Sequence, residues 1–174
     1  MSVQCPMVVR SSSPEETRRL AGRLGRLVVA CDVVLLGGDL GAGKTTFTQG
    51  LARALGVKEP VTSPTFTLMR SYHGTGGLQL LHADVYRLEY LQEIIDLGLP
   101  ELLEEGAAAV VEWGDRAAPA LLADYLEIRI EFGEEDDERI LHVRPVGARW
   151  DARKEQLAQA LAVQDSTWIA QAQP

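Results

Sequence analysis

The sequence contains few cysteines and no long hydrophobic run. Cys5 and Cys31 are its two cysteines, and they provide neither a metal-binding spacing nor a disulfide framework. No apolar run reaches the length needed to cross a bilayer, and the N-terminus lacks the basic, apolar, small-residue order of a secretion signal. We therefore expect a cytoplasmic protein that has no membrane partner.

Positive charge is also scarce, because 17 Lys and Arg residues face 25 Asp and Glu residues and the formal net charge is −8. Tight binding to nucleic acid by the chain alone needs a basic surface, so we do not expect it. A role beside RNA that another protein holds stays open. The 174 residues, 46% of them hydrophobic, suffice for one globular domain with a substantial core.

What the sequence does contain is a phosphate-binding loop motif. Residues 38–45 read Gly-Asp-Leu-Gly-Ala-Gly-Lys-Thr, which fits G-x-x-x-x-G-K-[ST] at every fixed position. An apolar run, Val33 to Leu36, precedes the motif, as a buried parallel strand would. A predicted helix over 46–55 follows it and stops at Gly56. Strand, loop and helix are the context that this motif requires.

The spacing of the motif suits a bound polyphosphate. Gly38, Gly41 and Gly43 permit positive φ angles and let backbone N–H groups turn inward, while the next helix directs its positive end at the phosphates. Lys44 is predicted to reach the β- and γ-phosphates and the Thr45 hydroxyl to bind Mg²⁺. The predicted cofactors are therefore ATP, chosen by default over other nucleotides, and Mg²⁺.

Two carboxylates follow apolar runs in the Walker B manner. Asp84 ends the run from Leu80, and Glu112 ends the run Ala107 to Val111. The second run is more uniformly apolar and thus more central, so Glu112 is assigned to the metal and Asp84 to water orientation or coupling to a switch. A plain helix-capping role for either acid stays open.

The rest of the chain has ordinary element signals. Ser13 is the predicted N-cap of a helix that runs to about Leu27, with Pro14 in its first turn and Glu16 closing a capping box. Thr17 would then be first-turn surface, and the hydroxyls of 63–67 would form either a nucleotide switch or a plain loop. The other predicted elements are strands at 7–9, 65–72, 78–81, 125–132 and 140–143, a turn at 73–77, a helix at 89–105 broken near 98–100, a short helix or turn at 117–123, a helix at 148–163 and a loose tail from 164.

Four blocks together resemble one family. They are residues 38–47, 63–68 (Ser-Pro-Thr-Phe-Thr-Leu), 82–88 (His-Ala-Asp-Val-Tyr-Arg-Leu) and the pair Glu112-Trp113. Their order and spacing are similar to those of the TsaE (YjeE) family, the ATPases of bacterial tRNA threonylcarbamoyladenosine synthesis, over roughly residues 13–132. The motif at 38–45 is widespread, but the combination of all four blocks is specific.

The resemblance implies a P-loop NTPase-like α/β fold of modified topology, a three-layer sandwich with a mixed, largely parallel central sheet and a C-terminal antiparallel hairpin. It implies that Thr45 and Glu112 hold the metal, that Asp84 and Lys44 serve catalysis, and that Thr17 lies near the base. The implied ATP contacts are Thr17, Asp39, Gly41, Ala42, Gly43, Lys44, Thr45 and Thr46. The implied switch residues are Ser63, Thr65, His82, Arg87 and Trp113. For Trp113 a role as a core aromatic stays open.

The resemblance further implies a role in modifying the tRNA adenosine next to the anticodon. Members act on the TsaD–TsaB pair through ATP hydrolysis and contact tRNA only indirectly. Two features depart from the family: Gly114-Asp115 stands where many members have Pro, and the tail over 148–174 has no recognised motif. We divide the chain into a P-loop ATPase domain, 1–147, and a helix and tail, 148–174, attached to it.

Three other functions remain open. A small-molecule kinase would need an acceptor pocket and a lid with paired arginines, and no arginine cluster follows Arg116. A GTP switch would need a guanine-specifying Asn-Lys-x-Asp, which the sequence lacks. A nucleotide-gated binding module with negligible turnover fits the absence of an evident arginine finger.

Overall fold

The computed structural model describes residues 6–88, 91–114 and 123–162. These residues form one mixed sheet of seven strands in the order β1-β7-β6-β2-β5-β4-β3. The strands are β1 Met7–Ser11, β2 Val33–Gly37, β3 Met69–His73, β4 Gln79–Asp84, β5 Ala108–Glu112, β6 Tyr125–Phe132 and β7 Arg139–Val146. The helices are α1 Pro14–Gly25, α2 Lys44–Ala54, α3 Leu91–Asp96, α4 Leu99–Glu104, α5 Ala148–Asp151 and α6 Lys154–Leu161.

The centre of the sheet is parallel and its edges are antiparallel. β2 pairs in parallel with β5 and with β6, and β4 pairs in parallel with β5. β3 runs antiparallel to β4, and β7 runs antiparallel to both β1 and β6. Every residue of β2 and β5 is buried, which explains why both read as continuous apolar runs rather than alternating ones. The predicted mixed sheet and C-terminal hairpin are confirmed.

Helices cover both faces of this sheet. One apolar core joins α1, α2 and α6 to alternate residues of the strands. The helices contribute Leu24, Phe47 and Leu157 to this core. A second core lies on the other face and includes Leu99 and Leu103 of α4. Successive strand side chains point to opposite faces, so Leu36 belongs to the first core. The three-layer α/β sandwich is confirmed.

The start of α1 is capped almost as predicted. Ser13 has extended backbone geometry, and its hydroxyl accepts a hydrogen bond from the Glu16 N–H at 3.2 Å. The Glu16 carboxylate does not return the bond to Ser13, as a capping box would. It accepts from the N–H and the hydroxyl of Ser12, both at 2.7 Å. These bonds, the hydroxyl first, hold the pKa of Glu16 below its ordinary value.

One strand prediction is partly wrong. Residues 65–67 form turns, and β3 begins only at Met69. The Pro64 carbonyl accepts from the N–H groups of Thr67 and Leu68, and Leu68 has a φ of 63°. The strand-forming composition of this segment is overridden because its backbone groups are used within the turn.

Other boundaries differ less. α2 begins at Lys44, two residues before the predicted start, because Gly43 with a φ of 107° supplies the N-cap. The predicted break near 98–100 is present, since Gly98 has a φ of 72° and separates α3 from α4. Most of the predicted element at 117–123, and the tail from Gln164, lie outside the described residues. In the part of the chain that the structure describes, no helix has both the length and the apolar character needed to cross a bilayer.

The C-terminal helices pack on the main body. Trp150 of α5 is fully buried in the first core. Arg153 donates to both carboxylate oxygens of buried Asp32, at 2.6 and 2.8 Å, and also to the Leu27 carbonyl. The guanidinium of Arg153 lies 3.9 Å from the Trp150 ring centroid. The helical part of the segment from 148 is therefore held by burial and by a bidentate ion pair.

Candidate functional site

The loop between β2 and α2 has the backbone that its glycines were expected to permit. Gly38, Gly41 and Gly43 have φ angles of 131°, 80° and 107°. A Cβ at Gly38 would also collide with the carbonyl oxygen of Ile130 on the neighbouring strand β6. Gly38 is thus required twice, once for its dihedral and once for the close approach of β6. The loop leads straight into the N-terminus of α2, where the helix dipole favours an anion.

Lys44 is buried at the mouth of this loop. Its ammonium donates to the carbonyls of Gly38 and Asp39, at 2.7 and 2.8 Å. The same Nζ atom lies 3.8 Å from the centroid of the Trp113 ring, a cation–π contact. These contacts hold the cation against the loop and beside the cleft, where negative charge on a ligand would be drawn to it.

Glu112 lies next to the phosphate-binding loop. β5 is the direct neighbour of β2, and Glu112 pairs in register with Leu36, the second-last residue of β2. The Thr45 hydroxyl donates to Glu112 Oε1 at 2.9 Å, and His82 Nε2 lies 2.8 Å from the same oxygen. An ionised carboxylate is acceptor-only, so with Glu112 ionised the bond places the His82 proton on Nε2. The other ring nitrogen, Nδ1, has no partner among the described residues.

Thr45 and Glu112 fit a magnesium ion. Both offer hard oxygen atoms, and those atoms are 2.9 Å apart. Adjacent ligands of an octahedral Mg²⁺ at 2.0–2.1 Å are separated by about 2.9 Å. No group of three or more His, Cys, Asp and Glu side chains suited to a metal is found among the described residues. The pair of Thr45 and Glu112 suits Mg²⁺, which keeps several waters and takes its remaining ligands from phosphates.

Asp84 lies one strand further from the loop, in register with Glu112. Its Oδ2 accepts from the Thr65 hydroxyl at 2.9 Å, and its Oδ1 accepts from the Tyr86 N–H at 3.0 Å. Thr65 in turn shares a 2.7 Å hydrogen bond with the Ser63 hydroxyl. The turn that replaces the predicted strand therefore brings the Thr65 hydroxyl to the second acid and leaves Ser63 bonded to Thr65. The predicted order, with β5 more central than β4, is correct.

Trp113 has an unusual backbone. Its φ of 63° is left-handed, which is rare for a bulky residue. Its N–H donates to the Leu36 carbonyl at 2.7 Å, and its ring meets the Tyr86 ring at a centroid distance of 4.8 Å. Gly114 follows it and packs so tightly that a Cβ would lie 3.0 Å from Leu35. Asp115 lies outside the described residues.

A cleft of about 320 Å³ gathers most of the predicted site residues. Its lining residues are Leu40, Gly41, Gly43, Lys44, Thr45, Thr46, Ser63, Thr65, Asp84, Glu112 and Trp113. Five predicted residues do not line it. The Asp39 side chain is exposed, Ala42 and His82 are buried, and Arg87 lies over the Phe66 ring at 4.9 Å. Thr17 is buried with its hydroxyl 2.7 Å from that of Ser11, so it is not first-turn surface.

Sequence reasoning missed three contributors to the site. Leu40 lines the cleft with 86% of its surface exposed. The Tyr86 ring contacts the Trp113 ring at a tilt of 45°, and Arg139 of β7 donates to the Ala42 carbonyl inside the loop at 3.0 Å. Arg139 is 97 positions from Ala42, and no local pattern in the sequence joins them. They meet because β7, which carries Arg139, pairs with β6, and β6 pairs with β2, the strand that precedes the loop.

A phosphate-binding loop between a central parallel strand and a helix, faced by two strand-end carboxylates, defines a nucleotide-binding protein of the P-loop class. Comparison with known families makes the assignment narrower. The model of the family described as "Threonylcarbamoyl adenosine biosynthesis protein TsaE" matches residues 11–141. The chain belongs to the TsaE family.

Relatives in several bacteria support this membership. The chain is 42% identical to the tRNA threonylcarbamoyladenosine biosynthesis protein TsaE of Bacillus subtilis over 149 residues, which are 86% of this chain and 92% of that protein. It is 45% identical to the protein of the same description in Streptomyces coelicolor over 138 residues, 76% and 93% of the two chains. The Treponema pallidum counterpart is 47% identical over 111 residues, 64% and 81%.

A solved structure shares the fold. The crystal structure of YdiB from Bacillus subtilis superposes with a TM-score of 0.73 at 34% sequence identity. The match covers 91% of this chain and 98% of that one.

Proposed function

We propose that this protein is a cytoplasmic, Mg²⁺-dependent ATPase of tRNA threonylcarbamoyladenosine biosynthesis that acts on the TsaD–TsaB pair. One observation carries the Mg²⁺-dependent part of the proposal: the Thr45 hydroxyl lies 2.9 Å from Glu112 Oε1 beside the phosphate-binding loop. Hydroxyl and carboxylate oxygens at that separation suit adjacent positions on a magnesium ion. When bound, the ion would offset the charge of the phosphates and hold their geometry.

The other polar residues would have separate tasks. Backbone N–H groups of the loop and the N-terminus of α2 would bind the phosphates, and Lys44 would attract the outermost ones. Asp84, fixed by Thr65 and Tyr86, would orient the attacking water or sense the terminal phosphate. Closure of the segment 63–67 on Asp84 through Thr65 would then depend on what the cleft holds.

The partner assignment comes from the family rather than from this chain. Relatives bear the description "tRNA threonylcarbamoyladenosine biosynthesis protein", and an ATPase that regulates another enzyme needs no acceptor pocket of its own. The small-molecule kinase and the binding module without turnover remain the alternatives. The kinase would yield a phosphorylated metabolite, and the binding module would release no phosphate.

Variants of the cleft test the proposed chemistry. Lys44→Ala and Thr45→Ala are expected to abolish hydrolysis, measured as phosphate release by the assembled complex. Asp84→Ala and Glu112→Ala should reduce turnover far more than they reduce binding to TsaD–TsaB. Full magnesium-dependent ATPase activity in Glu112→Ala would overturn the metal assignment.

A pull-down with and without ATP tests the partners. Recovery of TsaD–TsaB that depends on the nucleotide supports the proposal. Transfer of phosphate to a small metabolite would support the kinase instead. Nucleotide-dependent recovery with no phosphate release, by the wild-type chain in the assembled complex, would support the binding module.

A further inference from the structure

Arg139, the first residue of β7, joins the turn between β6 and β7 to the phosphate-binding loop. Its Nε atom donates to the Ala42 carbonyl at 3.0 Å, and its Nη1 atom donates to the carbonyls of Asp136 and Glu138 at 2.8 and 2.7 Å. The guanidinium lies over the Phe132 ring, 4.6 Å from its centroid. Because a planar guanidinium donates in several directions at once, this single side chain fixes a loop peptide against the turn.

The turn from which Arg139 reaches the loop is itself held by hydrogen bonds. The Gly133 N–H donates to the Glu138 carbonyl at 2.9 Å, and the Glu138 carboxylate accepts from the Glu134 N–H at 2.7 Å. The other oxygen of this carboxylate accepts from Arg10 of β1 at 2.8 Å. The guanidinium is therefore carried by a turn of defined geometry that is tied to a neighbouring strand.

Arg139 and Lys44 hold different parts of the loop. Lys44 donates to the carbonyls of Gly38 and Asp39, the first two residues of the motif. Arg139 donates to the carbonyl of Ala42, the fifth residue of the motif. The motif itself contains the lysine, whereas the arginine comes from the β7 side of the sheet.

The bond to Ala42 also sets the direction of the next N–H group. The Ala42 C=O and the Gly43 N–H belong to one trans peptide, in which the two groups point in opposite directions. Since the C=O faces Arg139, the N–H faces away from it. Gly43 lines the nucleotide cleft, and its N–H donates no hydrogen bond within the part of the chain that the structure describes. A phosphate oxygen is a suitable acceptor for a donor held in this way.

We propose that Arg139 is a positioning residue for phosphate binding, which holds the peptide between Ala42 and Gly43 so that its N–H is directed at the phosphates. Glycines at positions 41 and 43 leave this peptide free to rotate, and rotation would turn a carbonyl oxygen toward the phosphates, which repel it. Arg139 acts through the peptide and not on the ligand itself. The inference rests on the proposed nucleotide binding and adds to it a residue outside the loop motif.

The first test measures the affinity of the full chain for ADP by titration calorimetry, in EDTA and in Mg²⁺. R139Q removes both the charge and the fork of donors, and R139K keeps the charge without the fork. The matched control is R144Q, on the same strand, because Arg144 bonds to Glu127 at the other end of the hairpin. Urea unfolding checks that each variant folds, and R139K carries both tests if R139Q does not fold.

We expect R139Q to bind ADP at least about tenfold more weakly than the wild type, in EDTA and in Mg²⁺ alike, since one hydrogen bond to a charged group is worth that much. R139K should bind at least about threefold more weakly, because a lysine cannot bridge the turn and the loop with the same fork. R144Q should match the wild type within about twofold.

The second test observes the peptide directly by NMR. The dipeptide Ala-Gly occurs twice in the sequence, as Ala21-Gly22 in α1 and as Ala42-Gly43. Labelling with ¹³C-carbonyl alanine and ¹⁵N-glycine therefore gives two signals in a carbonyl–amide correlation spectrum, and the α1 signal is the internal reference. In the wild type the Gly43 amide proton should move downfield when ADP binds. At saturating ADP it should move less in R139Q or R139K, and the reference signal should not differ.

Four results would overturn the inference while leaving the proposed function intact. They are wild-type affinity in R139Q, wild-type affinity in R139K, an equal loss in R139Q and R144Q, and a Gly43 response in R139Q equal to that of the wild type. The second and third would mean that charge alone matters. No ADP binding by the wild type would instead overturn the proposed nucleotide binding, and the inference with it.

Discussion

Asp84 and Trp113 are two single residues whose surroundings are unusual. Asp84 is a buried carboxylate with donors from Thr65 and Tyr86. Trp113 holds a left-handed backbone between the Lys44 ammonium and the Tyr86 ring. Strained backbone and buried charge cost free energy, and both occur here beside the cleft. The cleft is where sequence-based rules are broken, which is typical of a functional site.

Thr65→Val removes a hydroxyl while keeping the shape of the side chain. Asp84 then loses one donor, so we expect ATP hydrolysis in the assembled complex to slow about tenfold, the equivalent of about 1.4 kcal/mol for one charge-assisted hydrogen bond. ATP affinity, measured by titration calorimetry, should change by less than about threefold, because this bond does not reach the phosphate-binding loop.

Two further variants make this prediction specific. Thr65→Ser keeps the hydroxyl and should restore most of the rate. Thr62→Val removes another hydroxyl from the same segment. That hydroxyl accepts a hydrogen bond from Arg70 rather than donating to Asp84, so this variant should leave the rate unchanged. A rate for Thr65→Val equal to that of the wild type would mean that Asp84 is oriented by other groups.

Among the secondary-structure elements, α1 has the clearest link between sequence and stability. Its N-terminus is fixed by Ser13, and by the Glu16 carboxylate that accepts two hydrogen bonds from Ser12. These bonds favour the ionised form and lower the pKa of Glu16. A carboxyl with a lowered pKa in the folded state adds stability above its unfolded pKa and loses it as the pH falls.

Glu16→Gln should therefore lower the free energy of unfolding at pH 7 by about 0.5–1 kcal/mol, a figure that allows for solvent screening of a partly exposed group. The difference from the wild type should shrink as the pH falls below about 4.3 and vanish once Glu16 is protonated in both states. Urea unfolding at several pH values measures it. Glu15→Gln, one residue earlier without the Ser12 bonds, should show a smaller pH-dependent difference.

In the molecule as a whole, strands on both sides of β2 support the site. β2 and β5 place the loop and Glu112 side by side, β4 adds Asp84, and β6 and β7 support the loop from the other side through Ile130 and Arg139. The C-terminal helices contribute Trp150 to the same core as α1 and α2. The predicted division at residue 147 stays a prediction, and the burial of Trp150 allows a test of it.

Trp150→Ala is expected to lower the free energy of unfolding of the whole chain by about 3–5 kcal/mol, because it leaves a large cavity in the core. A single cooperative transition with an unchanged urea dependence should persist. Phe132→Ala, at an aromatic residue that is 50% exposed, should cost less than half as much. A separate early transition for the C-terminal segment would mean that it unfolds independently of the domain.

The sequence by itself determined what depends on neighbouring residues. The glycine spacing of the loop, the apolar runs of β2 and β5, the Ser13 cap and the break at Gly98 all follow from local sterics and hydrophobic periodicity, and all are present in the structure. The sequence also predicts the relative position of β5 and β4, because a strand that is apolar on both faces must be central.

Only the tertiary structure decided which distant groups meet. Thr45 lies 67 residues from Glu112, Thr65 lies 19 from Asp84, and Arg139 lies 97 from Ala42. The turn at 65–67, where the sequence predicts the start of a strand, bonds its backbone N–H groups to Pro64 and its Thr65 hydroxyl to Asp84. α1 and α2 touch because Gly25 and Gly50 leave room for the backbone of the other helix. Strand order, register and helix contact set these distances, and none of them is encoded in a local pattern.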